Sequence, residues 1–396
     1  MQTPIYLDYN ATTPVDPKVV ETINVYLSND FGNPSSSHVY GRQAAEAVTW
    51  ARQQVAELID ARQDEIIFTG SASEANNMAI FGIAHALRYK GRHLITTAIE
   101  HPSILQPFVH LKKEGWDITV LPVDQYGRVK VNDVGKAIRR DTVLVSVMHA
   151  NNEVGTIQPI EEISRLLRPL DIVFHVDAAQ SVGKIPASVN TLGVDLLTIA
   201  GHKLYAPKGI GALYIKDGTP ISPVLFGAAQ EQGRRTGTEN VAFIAGLGTA
   251  AHLVKHRLDI EEARLTYKRN KLHSLLDKEI KGLKLNGHPE LRLPNTLNIS
   301  FPDVSGQELL NQVSSSLAAS MGSACHANSN SASSVLTTMN ISYERQRGAV
   351  RLSVGHATTE EEIKWAAIIL ISGWRECQQN NRETLASLKM VQRGNI

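Results

Sequence analysis

Short apolar runs alternate with amphipathic stretches along the first two-thirds of the chain. Runs rich in Ile, Val, Leu and Thr predict strands, and segments with apolar residues three and four positions apart predict helices. The predicted strands are Glu65–Thr69, His93–Ala98, Asp117–Leu121, Thr142–Met148, Asp171–Asp177, Asp195–Ile199 and Gly209–Ile215. The predicted helices between them are Glu74–Tyr89, Pro102–Glu114, Val131–Arg139 and Pro159–Leu167. This alternation indicates βαβ units and a mainly parallel sheet with helices on both faces.

The pattern changes near residue 255. A helix rich in Gly and Ala over Glu239–Leu253 precedes a charged amphipathic segment, His256–Lys281. The later predicted elements are the strands Leu283–Asn286, Thr296–Phe301 and Val350–Val354, a helix from about Gln307, and a last helix in which Thr359 and Glu362 have the spacing of a capping box. We therefore predict a large α/β domain over residues 15–256 and a smaller α+β domain over residues 257–396 together with residues 1–14.

Composition and charge narrow the class of protein. The 396 residues are 42% hydrophobic, which is enough for a buried core and too much for a disordered chain. The 40 basic and 39 acidic residues leave a net charge of +1, so we expect no direct binding to nucleic acid and no attachment to a membrane. No signal peptide or membrane-spanning run is evident. Because the only two cysteines, Cys325 and Cys377, cannot form a disulfide framework, we expect a reducing, cytoplasmic location.

The common nucleotide and zinc signatures are missing. Gly183-Lys184 is followed by Ile185 and not by the Ser or Thr of a phosphate loop, and Gly209 and Gly211 lack the third glycine of a dinucleotide fingerprint. There is no His-Glu-x-x-His and no Cys-x-x-Cys, so we expect no metal site.

Two residues at strand ends suggest a different cofactor. Asp177 ends one predicted strand, and Lys203 follows the next, before a Pro/Gly turn. Burial would lower the pKa of the lysine and free its amine for a Schiff base, while a carboxylate can keep a pyridine nitrogen protonated. Pyridoxal phosphate needs both groups. For either residue alone, a surface lysine or a solvated aspartate is the better interpretation.

Two more strand ends fit the same cofactor. The segment from Thr69 to Asn76 joins a strand to a helix through small and hydroxyl residues, and the N–H groups of that helix start would bind a phosphate or simply form an ordinary cap. His101 follows another strand, where its ring would stack on a cofactor or make a structural hydrogen bond. The convergence of four strand ends on one cofactor is the stronger observation.

Cys325 lies in a segment of small and polar residues, and no bulky apolar side chain follows it for nine positions. Such a setting suits a nucleophile better than a packing role, although a cysteine placed incidentally in a turn fits it too. We interpret Cys377, beside Trp374 in the last helix, as structural. Arg351 alternates with apolar residues in its strand; it would clamp a substrate carboxylate through two hydrogen bonds or form a surface ion pair at a sheet edge.

Taken together, these motifs resemble the cysteine desulfurases, which are pyridoxal-phosphate enzymes of fold type I related to class V aminotransferases. The resemblance covers almost the whole chain. The matching motifs are Leu7–Pro14, Gly32–Ser36, Ser73–Asn77, Glu100–His101, His149–Gly155, Asp177–Gln180, Gly201–Lys203, Arg235–Asn240, Gly322–Cys325 and Arg351–Gly355. The resemblance implies an α/β transferase with a large, mainly parallel sheet domain and a smaller α+β C-terminal domain.

The resemblance also implies a role for each matching residue. Lys203 would hold pyridoxal phosphate covalently and later shuttle the substrate α-proton, Asp177 would pair with the pyridinium nitrogen, and His101 would stack on the ring and assist proton transfer. The other cofactor contacts would come from Ala72, Ser73, Asn152, Gln180 and His202, and from the partner subunit's Thr238 in a homodimer. Asn152 and Arg351 would bind the carboxylate of L-cysteine. Cys325 would attack the substrate sulfur, leaving L-alanine and a persulfide for a sulfur-acceptor protein.

Some positions depart from the family's usual pattern. Ser73 stands where threonine is common, Ala200 where many relatives have serine, and Ala332 where proline is usual. Gly-Ser-Ala-Cys-His also resembles the selenocysteine lyases, which are the alternative function. A plain aminotransferase has no use for a loop thiol, and an idle scaffold would not need the lysine, aspartate and cysteine. The acceptor is open among iron–sulfur scaffolds, thiolated tRNA, cofactor synthesis and DNA sulfur modification.

Overall fold

The computed structural model describes residues 3–322 and 333–394, with side chains in the last helix as far as residue 383. Cys325 therefore lies outside the described residues. The first elements in chain order are β1 (Ile5–Tyr6), α1 (Pro17–Ser28), α2 (Val39–Leu58), β2 (Ile66–Thr69), α3 (Ala72–Leu87), β3 (His93–Thr97), α4 (Pro102–Lys113), β4 (Asp117–Leu121), α5 (Val131–Ala137), β5 (Thr142–Met148), α6 (Ile160–Leu167), β6 (Val173–Asp177), α7 (Val189–Leu192), β7 (Leu196–Ala200) and β8 (Gly211–Ile215).

A seven-stranded sheet has the strand order β2-β8-β7-β6-β5-β3-β4. The five strands from β7 to β4 run parallel, and β8 is antiparallel to both of its neighbours. These strands are Val-, Ile- and Leu-rich, and β2, β3, β5, β6, β7 and β8 are buried along their whole length, as expected where helices cover both faces. The predicted α/β class with a mainly parallel sheet is confirmed.

Two long helices, α1 and α2, were not predicted. Both pack against α8 (Val241–Lys255), and they bury Val19, Ile23 and Ala51. The contact is close: a Cβ added at Gly248 of α8 would come within 2.5 Å of the Ala51 Cα. The buried apolar residues of α2 are alanine and valine, whereas α1 buries Val19 and Ile23.

The remaining elements are shorter, apart from two long helices. In chain order they are α9 (Leu258–Glu279), β9 (Lys284–Asn286), β10 (Thr296–Ser300), α10 (Gly306–Val313), β11 (Leu317–Ala318), α11 (Ser334–Thr338), α12 (Tyr343–Arg347), β12 (Ala349–Ser353) and α13 (Glu360–Gly394). Strands β12, β10 and β9 form an antiparallel sheet. The capping box predicted before the last helix is present, because Thr359 N donates to Glu362 Oε2 (2.7 Å) and Glu362 N donates to Thr359 Oγ1 (3.1 Å).

The N-terminal strand belongs with these later elements. β1 pairs in parallel with β11. Leu7 is buried in one apolar core with side chains from Leu265 to Cys377. A separate core holds residues 19–254 of the sheet and its helices. We propose on this basis the same two domains, residues 15–256 and residues 257–396 with 1–14. Within the described part of the chain, no helix is both long enough and apolar enough to cross a bilayer.

Candidate active site

The carboxyl ends of the parallel strands place several predicted site residues at one edge of the sheet. Asp177, the last residue of β6, lies opposite Met148 of β5 and Thr198 of β7. His101 follows β3, and Lys203 follows β7. Ligands bind at this edge of open α/β sheets, because the chain leaves the strands there and the loops enclose a crevice.

Asp177 is buried and receives one hydrogen bond on each carboxylate oxygen. Ala179 N donates to Oδ1 (2.9 Å), and Asn76 Nδ2 of α3 donates to Oδ2 (2.8 Å). Two N–H donors suit an ionised carboxylate, which accepts only. The side chain is thus held rigidly at the strand end.

The Lys203 amine lies against the N-terminal segment. Its Nζ donates to the carbonyl oxygens of Asn10 and Ala11, the latter at 2.7 Å. Gln180 Nε2 donates to the same Asn10 oxygen at 3.0 Å. A second lysine, Lys184, is buried beside them and donates to Gln180 Oε1 (2.9 Å). Burial lowers the pKa of Lys184 well below its ordinary value, and the charges of Lys203 and Arg351 lower it further.

His101 is the N-cap of α4. Its Nδ1 accepts from Ser103 N (3.1 Å) and lies 2.8 Å from Ser103 Oγ. Burial lowers the pKa of His101, the Asp177 carboxylate opposes that change, and Lys203 adds to it. Together with Ser73, His101 lines an open groove of about 580 Å³ between α3 and α4.

The start of α3 offers free N–H groups. Ser71 caps the helix by accepting from Glu74 N (3.1 Å), and the N–H groups of Ala72 and Ser73 have no acceptor among the described residues. Strand β8 comes so close that a Cβ at Gly211 would lie 3.0 Å from Ala72 N. Burial, and then nearby lysines with Lys203 first, lowers the pKa of His202 to about 4. A helix N-terminus of this kind binds phosphate.

Arg351 of β12 is almost completely buried, so the interpretation as a surface ion pair is wrong. It does pair with a carboxylate: Nη2 lies 2.7 Å from Asp8 Oδ1, and Nη1 donates to the carbonyl oxygen of Asn152 (3.0 Å). Its Nε atom is buried and has no hydrogen-bond partner among the described residues. The side chain of Asn152 makes no hydrogen bond within the described part of the chain. Arg351 therefore connects the small sheet to the edge of the large one.

Two predicted site residues are not brought into this group. Thr238 is exposed in the loop before α8 and makes no hydrogen bond to another predicted site residue in the part of the chain described. Cys325 is outside the described residues, but both residues that bound its segment are near Glu153, the neighbour of Asn152. Ser333 Oγ donates to Glu153 Oε2 (2.6 Å), and a Cβ at Gly322 would lie 2.8 Å from the same oxygen.

Sequence reasoning gave no role to several residues that shape the site. They are Asp8, Asn10, Asn76, Ser103 and Lys184. Asp8, Asn10 and Asn76 fall within motifs that carry the family resemblance, so a signal was present without an assigned partner. Ser103 and Lys184 are recognised only from their contacts.

The residues present fit pyridoxal phosphate. The N–H groups at the start of α3 can bind the phosphate, and Asp177, held by two hydrogen bonds, can pair with the pyridinium nitrogen. Lys203, after the adjacent strand, can react with the aldehyde. Asn76 Oδ1 and His149 Nδ1 are buried and have no hydrogen-bond partner among the described residues. Both residues belong to motifs that carry the family resemblance, so these motifs retain polar atoms that are free to bind a ligand.

Comparison with known proteins gives the same answer. Residues 5–365 match the family described as Aminotransferase class-V. The chain belongs to this family of pyridoxal-phosphate enzymes.

The relatives narrow the class further. "Cysteine desulfurase IscS" of Dictyoglomus turgidum is 46% identical over 371 residues, 93% of this chain and 94% of the relative. A solved "NifS-like protein" superposes with a TM-score of 0.88 at 36% identity, covering 93% of this chain and 99% of its own. A structure titled "SspA in complex with cysteine" has a TM-score of 0.80 at 36% identity, covering 88% of this chain and 98% of its own. Within the family, the chain groups with the cysteine desulfurases.

Proposed function

We propose that this enzyme removes sulfur from L-cysteine, releases L-alanine and carries the sulfur as a persulfide on Cys325. The observation that carries the proposal is the meeting of Lys203, Asp177 and the α3 N-terminus at one sheet edge, in a chain grouped with cysteine desulfurases. In this reaction the substrate C–S bond breaks and a bond forms between the Cys325 sulfur and the substrate sulfur. The Cys325 thiol loses one proton and the methyl carbon of alanine gains one, so no oxidant or reductant is needed.

Pyridoxal phosphate, when bound, supplies an electron sink for the charge that develops on the substrate carbon. Lys203 would hold it at the aldehyde, Asp177 at the pyridine nitrogen, and Gln180 and Asn152 near the ring hydroxyl. Ala72, Ser73 and His202 would hold the phosphate, with the partner subunit's Thr238. His101 would lie on the ring face.

Lys203 would also move the substrate α-proton. Carbonyl oxygens of Asn10 and Ala11 accept from its amine and orient it toward the strand end. Gln180 links this amine to the buried Lys184, because Gln180 Nε2 donates to the Asn10 oxygen that Lys203 also uses and Lys184 donates to Gln180 Oε1.

Arg351 and Asn152 would bind the substrate carboxylate. The Arg351 guanidinium is already held by Asp8 and by the Asn152 carbonyl, and its two Nη atoms are therefore oriented before substrate arrives. The guanidinium has five N–H groups, and the bonds to Asp8 and Asn152 use one on each Nη atom. The second N–H on each Nη atom can therefore donate to a substrate carboxylate, with a charge-assisted bond to each oxygen.

We also propose that the enzyme is a homodimer. Phe226 is 84% exposed in the loop region that leads to Thr238, and Phe31 and Tyr40 stack at 5.6 Å while both are exposed. Exposed apolar groups of this kind mark protein interfaces.

A sulfur-acceptor protein is the further partner that a persulfide requires. We propose that the sulfur is used in iron–sulfur cluster assembly. We also propose a cytoplasmic location, because Cys325 must stay a free thiol. We propose no direct binding to nucleic acid or to a membrane, because the net charge of the chain is only +1.

The decisive variant is Cys325→Ser. We expect sulfide release from cysteine in the presence of a thiol reductant to fall to background, while the absorbance of the bound cofactor persists. The matched control is Cys377→Ala, which removes the other thiol from the small core and should leave the reaction in place. Borohydride reduction followed by peptide mapping should locate the cofactor on Lys203. Full activity of Cys325→Ser, or an adduct on another residue, would contradict the proposal.

A further inference from the structure

A chain of hydrogen bonds joins Asp177 to His101 through two residues of neighbouring helices. Asn76 of α3 is completely buried, and its Nδ2 lies 2.8 Å from Asp177 Oδ2 and 2.9 Å from Ser103 Oγ. Ser103 Oγ in turn lies 2.8 Å from His101 Nδ1. The two groups that would contact the cofactor ring are therefore linked by protein atoms alone.

The donors at the Asp177 end of this chain fix the direction of its first bonds. Asp177 accepts from two N–H groups, so the Asn76 amide turns its NH₂ group toward the carboxylate, and Asn76 Oδ1 is left buried without a partner among the described residues. The second hydrogen of that NH₂ group goes to Ser103 Oγ. The single hydroxyl hydrogen of Ser103 is then left to donate to His101 Nδ1.

The backbone acts in the same direction. Ser103 N, in the first turn of α4, donates to the same Nδ1 atom at 3.1 Å. Ser103 N–H can only donate, so it fixes Nδ1 as an acceptor: a hydrogen on Nδ1 would remove this bond and force the one with Ser103 Oγ to reverse. The ring proton of a neutral histidine must then be on Nε2, which has no hydrogen-bond partner among the residues that the structure describes.

We propose that Asn76 and Ser103 are positioning residues that hold His101 in its neutral form with the proton on Nε2. In the resting site His101 is then a hydrogen-bond donor and not a proton acceptor, and the base is left to Lys203. This inference rests on the proposed function, since it assigns His101 a direction of hydrogen bonding within the same site. The orientation of Asn76 that this role requires leaves its Oδ1 atom buried and unpaired, which costs free energy, and the proposed role explains why this orientation is kept.

The test is NMR of the cofactor-loaded enzyme with heavy nitrogen in its histidines, recorded at about pH 7. The His101 signals are identified by their loss in His101→Gln. We expect an unprotonated Nδ1 and a protonated Nε2. Asn76→Ala and Ser103→Ala should each raise the Nδ1-protonated population several-fold, because one constraint on Nδ1 is lost. Ser103→Thr keeps the hydroxyl and should restore the wild-type spectrum.

Gln106→Ala is the control, because its exposed side chain lies on the same helix one turn further on. A proton on Nδ1 in the wild-type enzyme overturns the inference, and so does an unchanged His101 spectrum in both alanine variants. Borohydride mapping of the same samples separates the two proposals. An adduct on Lys203 together with the wrong histidine tautomer leaves the desulfurase proposal standing and removes only the roles of Asn76 and Ser103.

Discussion

Glu100 is a carboxylic acid enclosed at the end of β3, directly before His101. Its Oε1 accepts from Thr97 Oγ1 (2.6 Å) and from Met148 N (2.9 Å), and its Oε2 is buried without a partner among the described residues. Burial raises the pKa of Glu100 to about 8, so the folded enzyme keeps the proton at neutral pH. The unfolded chain releases it near the ordinary pKa of a glutamate.

This difference predicts how stability depends on pH. Between the unfolded and folded pKa values the native state binds one more proton, so the free energy of unfolding falls as pH rises, by up to about 1.4 kcal/mol per pH unit from this group. Glu100→Gln keeps the acceptor oxygen and removes the titration. We expect the variant to lose less stability than wild type between about pH 5 and 8 in urea denaturation. The exposed Glu46→Gln should follow wild type; parallel curves for all three proteins would contradict the assignment.

Arg351 gives a second prediction for a single side chain. Arg351→Ala removes the proposed carboxylate ligand and leaves Asp8 without its ion-pair partner. We expect the KM for cysteine to rise at least about tenfold, corresponding to about 1.4 kcal/mol, with a smaller change in kcat. Arg351→Lys keeps the charge but not the planar fork, and should recover only part of the loss. Steady-state kinetics of both variants makes the comparison; an unchanged KM would exclude Arg351 from the substrate site.

At the scale of elements, the N–H groups of Ala72 and Ser73 at the start of α3 form the proposed phosphate cradle. Their position depends on how closely β8 approaches the start of α3. A Cβ at Gly211 would lie 2.8 Å from the Ile199 oxygen and 2.8 Å from the Ser71 carbonyl carbon, both backbone atoms that cannot move independently. Gly211→Ala should push the α3 N-terminus away and weaken retention of pyridoxal phosphate by about tenfold or more, with a lower melting temperature. Dialysis followed by the absorbance of bound cofactor measures the loss.

The control for this change is Gly135→Ala. Gly135 lies in α5, where the nearest atom to an added Cβ is at 3.5 Å, so alanine fits and is the better helix former. We expect unchanged cofactor retention and equal or higher thermal stability. Equal cofactor loss in both variants would show that the effect of Gly211→Ala is not specific to the cradle.

At the scale of the whole molecule, the proposed sharing of Thr238 between subunits can be tested by mixing inactive chains. Thr238→Ala chains and Lys203→Ala chains are each expected to be weakly active or inactive as homodimers. If the partner subunit's Thr238 completes each site, a mixed dimer contains one intact site, and mixing should restore up to about a quarter of wild-type activity, since half of random dimers are mixed.

Refolding the two variants together, with sedimentation to confirm a dimer of 43.3 kDa chains, provides the measurement. Each variant refolded alone is the control. No recovery in mixed dimers would mean that Thr238 acts within its own chain, or not at all.

Periodicity and motifs in the sequence were sufficient for the parallel sheet, for the strand ends that carry Asp177, His101 and Lys203, and for the family. These features are local in sequence. A buried parallel strand is a continuous apolar run, and the residues that follow this run lie at the carboxyl end of the strand, where ligands bind. Helices α1 and α2 were not predicted, and their close packing on α8, where Ala51 lies against Gly248, is a contact between distant parts of the chain.

Tertiary structure alone decided which partners these residues have. The Asp8 carboxylate and the Arg351 guanidinium are far apart in the chain but 2.7 Å apart in space, and Lys184 is buried where Gln180 bonds to both Lys184 and Asn10. The direction of hydrogen bonding from Asp177 through Asn76 to His101 likewise exists only once α3 and α4 lie side by side. Residue types and their order follow from the chain, whereas ionisation, tautomer and orientation depend on distances that close only on folding.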